Sequence, residues 1–220
     1  MKKLIFIFCL LFAVPAYSLK IYNGLEDVRT NGIGCSKVKN FGLYSARVDE
    51  VAKFKKLYTK KALKMIRRVH LCTRIRIEKN DEWVRGTYDE KDGSLYVEVD
   101  SKFNDTRMSL HHEFSSLLIH YTPHAKKLEQ VFKLLNKTSY NYDFSKQAAR
   151  GWITDKIQRK QGFLYPYSST SFENDFNVIA TYSITDYLKH YVRYASKRHE
   201  IIKIKALLVK DFYRSNGYLR

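Results

Sequence analysis

The stretch that decides the reading is residues 110–120, Leu110-His111-His112-Glu113-Phe114-Ser115-Ser116-Leu117-Leu118-Ile119-His120. Leu110, Phe114, Leu117, Leu118 and Tyr121 recur at helical spacing, which predicts a half-buried helix with His-Glu along one edge. In the pattern H-E-x-x-H, two histidines one turn apart hold a zinc ion and the intervening glutamate takes a proton from its bound water. Here the position four after His112 is Ser116, and a serine hydroxyl is a poor zinc ligand at neutral pH. His111 and His112 lie about 100° apart around a helix and do not easily share an ion. His112, Ser116 and His120 share a face, but eight residues rise about 12 Å, too far for two bonds of about 2.0–2.1 Å to one zinc. A bare His-Glu pair also says little, because His199-Glu200 is a second one in a basic segment. By spacing alone, the stretch is either the satisfied polar edge of a core helix or part of a metal site.

Working outward, residues 70–79, 83–88 and 94–99 read as strands, with Asp89-Glu90-Lys91-Asp92-Gly93 as a turn between the last two. Asp105 is the expected cap of the motif helix, which ends at Tyr121 before Thr122-Pro123. Before the strands, Asp49 is the expected cap of a helix over residues 49–69, with Val51, Phe54, Tyr58, Ala62, Ile66 and Val69 in its apolar stripe. Residues 19–48 form an irregular, glycine-containing lead-in with a short strand near residues 41–45. After the motif helix come a helix over residues 126–136 and a long aromatic connection over residues 137–172, with a short helix around residues 146–160. Helices over about 172–194 and 197–212 follow. This order is α+β, one domain with a small antiparallel sheet beside the motif helix and a helical C-terminal half.

Residues 1–18 read as a secretory signal peptide, with Lys2 and Lys3 before an apolar run and Ala16-Tyr17-Ser18 at the cleavage position. Cys9 sits inside that run, away from the cleavage position. No later stretch approaches about 18 uninterrupted apolar residues, so the expectation is an exported, periplasmic or secreted domain over residues 19–220 without a transmembrane segment. Export and an even count favour a disulfide between Cys35 and Cys72 over two buried thiols. The formal charge of +18 is concentrated in residues 53–68 and 189–210. Its plain reading is two solvated helix faces of a lysine-rich protein, and its functional reading is attraction to an acidic polymer or acidic protein. No nucleic-acid-binding motif accompanies it, so no specific nucleic acid is expected as a partner.

Two local motifs, in order, carry a resemblance. Gly93-Ser94-Leu95-Tyr96-Val97 precedes His112-Glu113-Phe114, and Gly162-Phe163-Leu164-Tyr165-Pro166-Tyr167-Ser168-Ser169-Thr170 leads into Asn174-Asp175-Phe176. Over about residues 50–190 the chain resembles the gluzincin zinc metallopeptidases, particularly those with a lethal-factor-like catalytic domain. In that family an edge strand precedes the H-E-F-x-H helix, and a Gly-Phe loop leads into the helix bearing a third, glutamate ligand. The resemblance implies a zincin-like domain with His112 as a zinc ligand, Glu113 as general base and Tyr167 steadying an oxyanion, acting on a peptide or protein. Two positions depart from the pattern. Ser116 replaces the second histidine, and Val178 or Thr181 falls where the third ligand is expected. Glu173 and Asp175 are the available substitutes, each equally readable as an N-terminal helix charge, with His111 and His120 as further candidates. The alternative is a non-enzymatic exported basic protein that binds an acidic polymer or protein.

Overall fold

The computed structural model describes residues 20–23, 27–99, 106–136, 142, 159–164 and 166–220; the leader, Asp105 and nearly all of the helix expected at 146–160 lie outside these. Asn40, not Asp49, starts the first helix, α1 (Phe41–Leu57), by accepting from the Leu43 amide at 3.0 Å. The helix does not run on to residue 69. Tyr58 turns extended and pairs with Leu219, and Thr59 caps a separate short helix, α2 (Lys60–Leu63), while its hydroxyl donates to Gly217 O at 2.7 Å. The apolar stripe continues through the break because Tyr58 itself is buried. Beyond the strands come α3 (Thr106–Tyr121), α4 (Ala125–Leu135), a 3-10 turn (Pro166–Ser169), α5 (Phe172–Ile184), α6 (Lys189–Ser196) and α7 (Glu200–Ser215). The single helix expected over 172–194 is two, parted at Thr185–Leu188 by a turn in which Leu188 N bonds Thr185 O.

Each of the first two expected strands is likewise divided, and its halves join different sheets. Strands β1 (Lys20–Asn23), β4 (Arg68–Cys72), β8 (Ser94–Glu98) and β7 (Gly86–Asp89) lie side by side in that order, β1 and β8 parallel to β4 and β7 antiparallel at the edge. The edge strand beside α3 is therefore β7; residues 94–97, expected at the edge, are covered on both sides. A second, antiparallel sheet is ordered β2 (Val28–Thr30), β3 (Ile33–Cys35), β5 (Ile75–Ile77), β6 (Glu82–Val84), so the lead-in is structured rather than irregular. The chain crosses between sheets at Thr73-Arg74, where Ser36 exchanges backbone bonds with both, and the Cys35–Cys72 disulfide fastens the crossing. This link closes a loop with a sequence separation of 37. Cys35→Ala with Cys72→Ala is therefore expected to cost about 3 kcal/mol, read as a lower urea midpoint; an unchanged midpoint would show that the crossing holds without it.

α3 lies between the mixed sheet and the C-terminal helices, and its two histidines face different ways. His111 is 1% exposed and turned toward α1, with Nδ1 2.7 Å from the Tyr58 hydroxyl and its ring 5.1 Å from Phe54. Phe114, Leu117 and Leu118 fill the core with Phe54, Phe176 and Tyr213. Ser115 ties α3 to α7 through Tyr213 at 2.7 Å. One residue further round from His111, His112 and Glu113 emerge on the opposite side, toward β7, the 3-10 turn and α5.

Candidate functional site

Three elements converge on that side. From α3 come His112 and Glu113, both half-buried; from the loop before α5 comes Tyr167; and from the first turn of α5 come Glu173 and Asn174. The His112 and Tyr167 rings lie 5.8 Å apart, and the Asn174 side chain lies beside both. Asn174 is itself fixed: its amide Nδ2 donates to Thr170 Oγ1 at 2.8 Å, and its backbone N donates to the capping Ser171 hydroxyl at 3.0 Å. β7 closes the remaining side, where the Tyr88 hydroxyl donates to Glu173 Oε2 at 3.5 Å. Glu113 lies directly across Gly86: a Cβ there would come within 2.5 Å of Oε1 and 3.0 Å of Cγ and Cδ.

Of the residues singled out in the sequence, the structure brings together His112, Glu113, Tyr167 and Glu173. It places three elsewhere. His111 is in the core beside Tyr58, and His120 is exposed at the end of α3, next to Tyr121. Asp175 points inward and is fully buried, 2.6 Å from Lys205 Nζ and 3.0 Å from the Tyr142 hydroxyl that donates to it. These positions follow from helix geometry, since neighbours on a helix diverge by about 100°: Glu173 and Asn174 face the cleft, Asp175 the core.

The cleft is acidic within a strongly basic chain. Burial raises the Tyr167 phenol, and Glu113, Glu173 and Glu82 raise it further, against the Asn174 carboxamide; Tyr88 is raised by burial, then by Glu173, Glu90 and Glu113. Burial holds the His112 imidazole down at about 4, opposed by Asn174. Burial and then Glu173 push the Glu113 carboxyl up to about 8. Near neutral pH the protonated form of Glu113 is therefore favoured. The stability consequence has a definite sign. Below about 4.5, the ordinary value, folded and unfolded chains both hold the proton. Between there and about 8 only the folded chain does, so stability falls as pH rises, and above about 8 the loss is complete. Relative to Glu113→Gln, the natural chain is expected to lose about 2 kcal/mol between pH 5 and pH 9, allowing for partial exposure. Parallel urea curves for the two at both pH values would contradict this.

Zinc is the metal that the sequence resemblance implies, and the donors at the corresponding positions do not fit it. Zinc sites are built from imidazole, thiolate and carboxylate donors, three or four together. Here there is one imidazole, His112, beside the neutral carboxamide of Asn174. Ser116, 2% exposed, accepts a hydrogen bond from Asn177 Nδ2 at 2.6 Å. Among the described residues no three His, Cys, Asp or Glu side chains are grouped to hold a metal ion. The α5 residues beside His112 and Ser116 are thus Asn174 and Asn177. Neither asparagine was singled out from the sequence, although Asn174 is readable as the third residue after a Ser171 cap, the position whose amide that cap bonds. Gly86 and Tyr88 also escaped notice, because nothing local in a strand marks a close approach from a distant helix.

No family model matches the chain, and no curated protein matches it. Among solved structures, it is similar to a crystal structure from Bacteroides caccae described as a "putative zinc-binding metallo-peptidase", at 18% identity, with a TM-score of 0.49, over 91% of this chain and 80% of that one.

Proposed function

We propose that this chain is an exported, gluzincin-like domain that has exchanged a zinc ligand set for a neutral amide and hydroxyl network and keeps its cleft for holding an extended peptide. The observation that carries the proposal is the hydrogen bond from Asn177 Nδ2 to Ser116 Oγ, which fills the place of the second histidine one turn after His112. The Ser116 position is occupied by a protein–protein hydrogen bond, and a Glu113 held toward its protonated form lacks the charge that a zinc-bound water would draw on. The signal-like leader supports export, and the Cys35–Cys72 disulfide is at home in an oxidising compartment.

Peptide binding is supported by β7, which has a single strand partner among the described residues and runs beside the cleft. An added strand along β7 would gain backbone hydrogen bonds, with side-chain selectivity set by alternate residues. Because the charged groups besides Glu113 that act on Tyr88 and Tyr167 are the carboxylates of Glu173, Glu82 and Glu90, the favoured segment carries lysine or arginine. The test is fluorescence anisotropy with labelled basic and acidic extended peptides, with mass spectrometry of the same mixtures in the presence of zinc. Basic peptides are expected to bind, uncleaved, and Gly86→Ala to weaken them by displacing Glu113. Zinc-dependent cleavage that disappears in Glu113→Gln would overturn the reading.

A further inference from the structure

The two faces of the second sheet are built differently. Inward, Ile33, Cys35 and Ile75 are buried with Tyr96 and Cys72, and Val28, Ile77 and Val84 pack beside them. Outward, the register sets Arg29 opposite Gly34, Gly34 opposite Arg76 and Arg76 opposite Trp83. Directly paired positions share a face, so these four make one row across all four strands. The row spans three strand spacings, about 14 Å. Trp83 ends it with 53% of its surface exposed, and the Arg74 guanidinium lies over the indole ring at 5.9 Å.

Nothing in the fold requires glycine at position 34. Its φ lies outside the left-handed region, and a Cβ there would meet only Arg76 O at 3.8 Å and Arg76 Cβ at 3.9 Å, both ordinary contacts. Glycine inside a strand weakens it, and such positions often mark the close approach of a ligand. Here it leaves a gap in the row between Arg29 and Arg76. The borders of the gap are charged. Arg29 lies 3.8 Å from Glu78 with its side chain 80% exposed, a loose pair. Arg76 is bound to Asp81, and among the described residues no carboxylate pairs with Arg74. Three guanidiniums thus stand with two carboxylates around one exposed indole. The frame is firm, because Ser36 exchanges backbone bonds with Thr73 and Arg74, and the Cys35–Cys72 disulfide fastens the same point.

We propose that this face binds an acidic glycan, with one sugar ring lying on Trp83 and the acidic groups of the chain held by Arg74, Arg76 and Arg29 across the Gly34 gap. The electron-rich indole face attracts the polarised C–H bonds of a sugar ring, and the guanidinium fork matches a carboxylate. Glu78 and Asp81 supply acceptors for sugar hydroxyls. A single-stranded nucleic acid fits less well, because its binding platforms stack successive bases on several aromatic rings and this row has one. The row lies on the opposite face of β6 from Glu82, whose carboxylate acts on Tyr167 at the cleft, and its binding is independent of what the cleft holds.

The test is calorimetric titration of the natural chain, at constant ionic strength, with a galacturonate oligomer, its neutral methyl ester, a thymidylate oligomer and a glutamate oligomer of equal length. The variants are Trp83→Ala, Arg74→Ala and Gly34→Thr, with Arg193→Ala on α6 as the control that removes the same charge as Arg74→Ala. Gly34→Thr fills the gap with a residue that favours a strand, so its urea midpoint is expected to hold or rise while binding falls. The galacturonate oligomer is expected to bind more tightly than the other three, and each of the three sheet variants to weaken it about tenfold, with Arg193→Ala leaving it unchanged. No binding of galacturonate, equally tight binding of any of the other three probes, equal weakening by Arg193→Ala, or binding untouched by Trp83→Ala or Gly34→Thr overturns the proposal.

Discussion

Lys205→Met is expected to destabilise the protein by about 3–5 kcal/mol, because it leaves a charged group buried without its partner. Lys205 is 0% exposed, and its ammonium is fully used: Asp175 Oδ2 at 2.6 Å, Asn136 Oδ1 at 2.7 Å and Gly162 O at 2.8 Å. It also lies over the Phe163 ring at 4.4 Å. Burial pushes the Asp175 carboxyl up and the Lys205 ammonium down, and each opposes the shift in the other. Without the lysine, the Tyr142 hydroxyl is the remaining bond to Asp175 Oδ2, while Oδ1 is buried with no partner. The loss is measured as a urea midpoint, and Lys205→Met with Asp175→Leu is expected to recover most of it, since a buried pair replaced by apolar side chains is often neutral. A double variant no more stable than the single one would mean that lost packing, not an orphaned carboxylate, sets the cost. The effect reaches the site, because Asp175 anchors the helical turn that presents Glu173 and Asn174.

Ser116→His combined with Asn174→Glu is expected to create a zinc site with a Kd of about 1 μM or tighter, roughly −8 kcal/mol of binding where the natural chain has little. The reasoning is positional. Asn174 already lies beside His112, so a carboxylate there is placed to share an ion with it. Ser116 is one turn from His112 on the same face, and Asn177, which now donates to Ser116, is placed to orient a new imidazole from behind. Calorimetric titration with zinc measures it, with His112→Ala in the same background as the control. A double variant that folds and still fails to bind zinc would show that α3 and α5 are not spaced as a ligand-bearing pair.

The fold class was legible because long-range periodicity survives local breaks. Val51, Phe54, Tyr58, Ala62 and Ile66 are buried whether or not the helix is continuous through Thr59. The breaks were not legible, since Tyr58 turns extended to meet Leu219 and residues 70–77 divide to serve two sheets, both dictated by partners far along the chain. Motif order brought out His112, Glu113, Tyr167 and Glu173, which do meet. The same reasoning named His111, His120 and Asp175, which do not, because residue type alone cannot distinguish adjacent helix positions facing core and cleft. Asn174 and Asn177 carried no chemical signature; their importance lies in what stands opposite them.

The most direct test is the zinc content of the natural chain after equilibration with zinc and gel filtration, set beside Ser116→His with Asn174→Glu. Substoichiometric zinc in the natural chain, unaffected by His112→Ala, with one zinc per chain in the double variant, is the predicted result. One zinc per natural chain, lost in His112→Ala, would contradict it and return Glu113 to the role of a base.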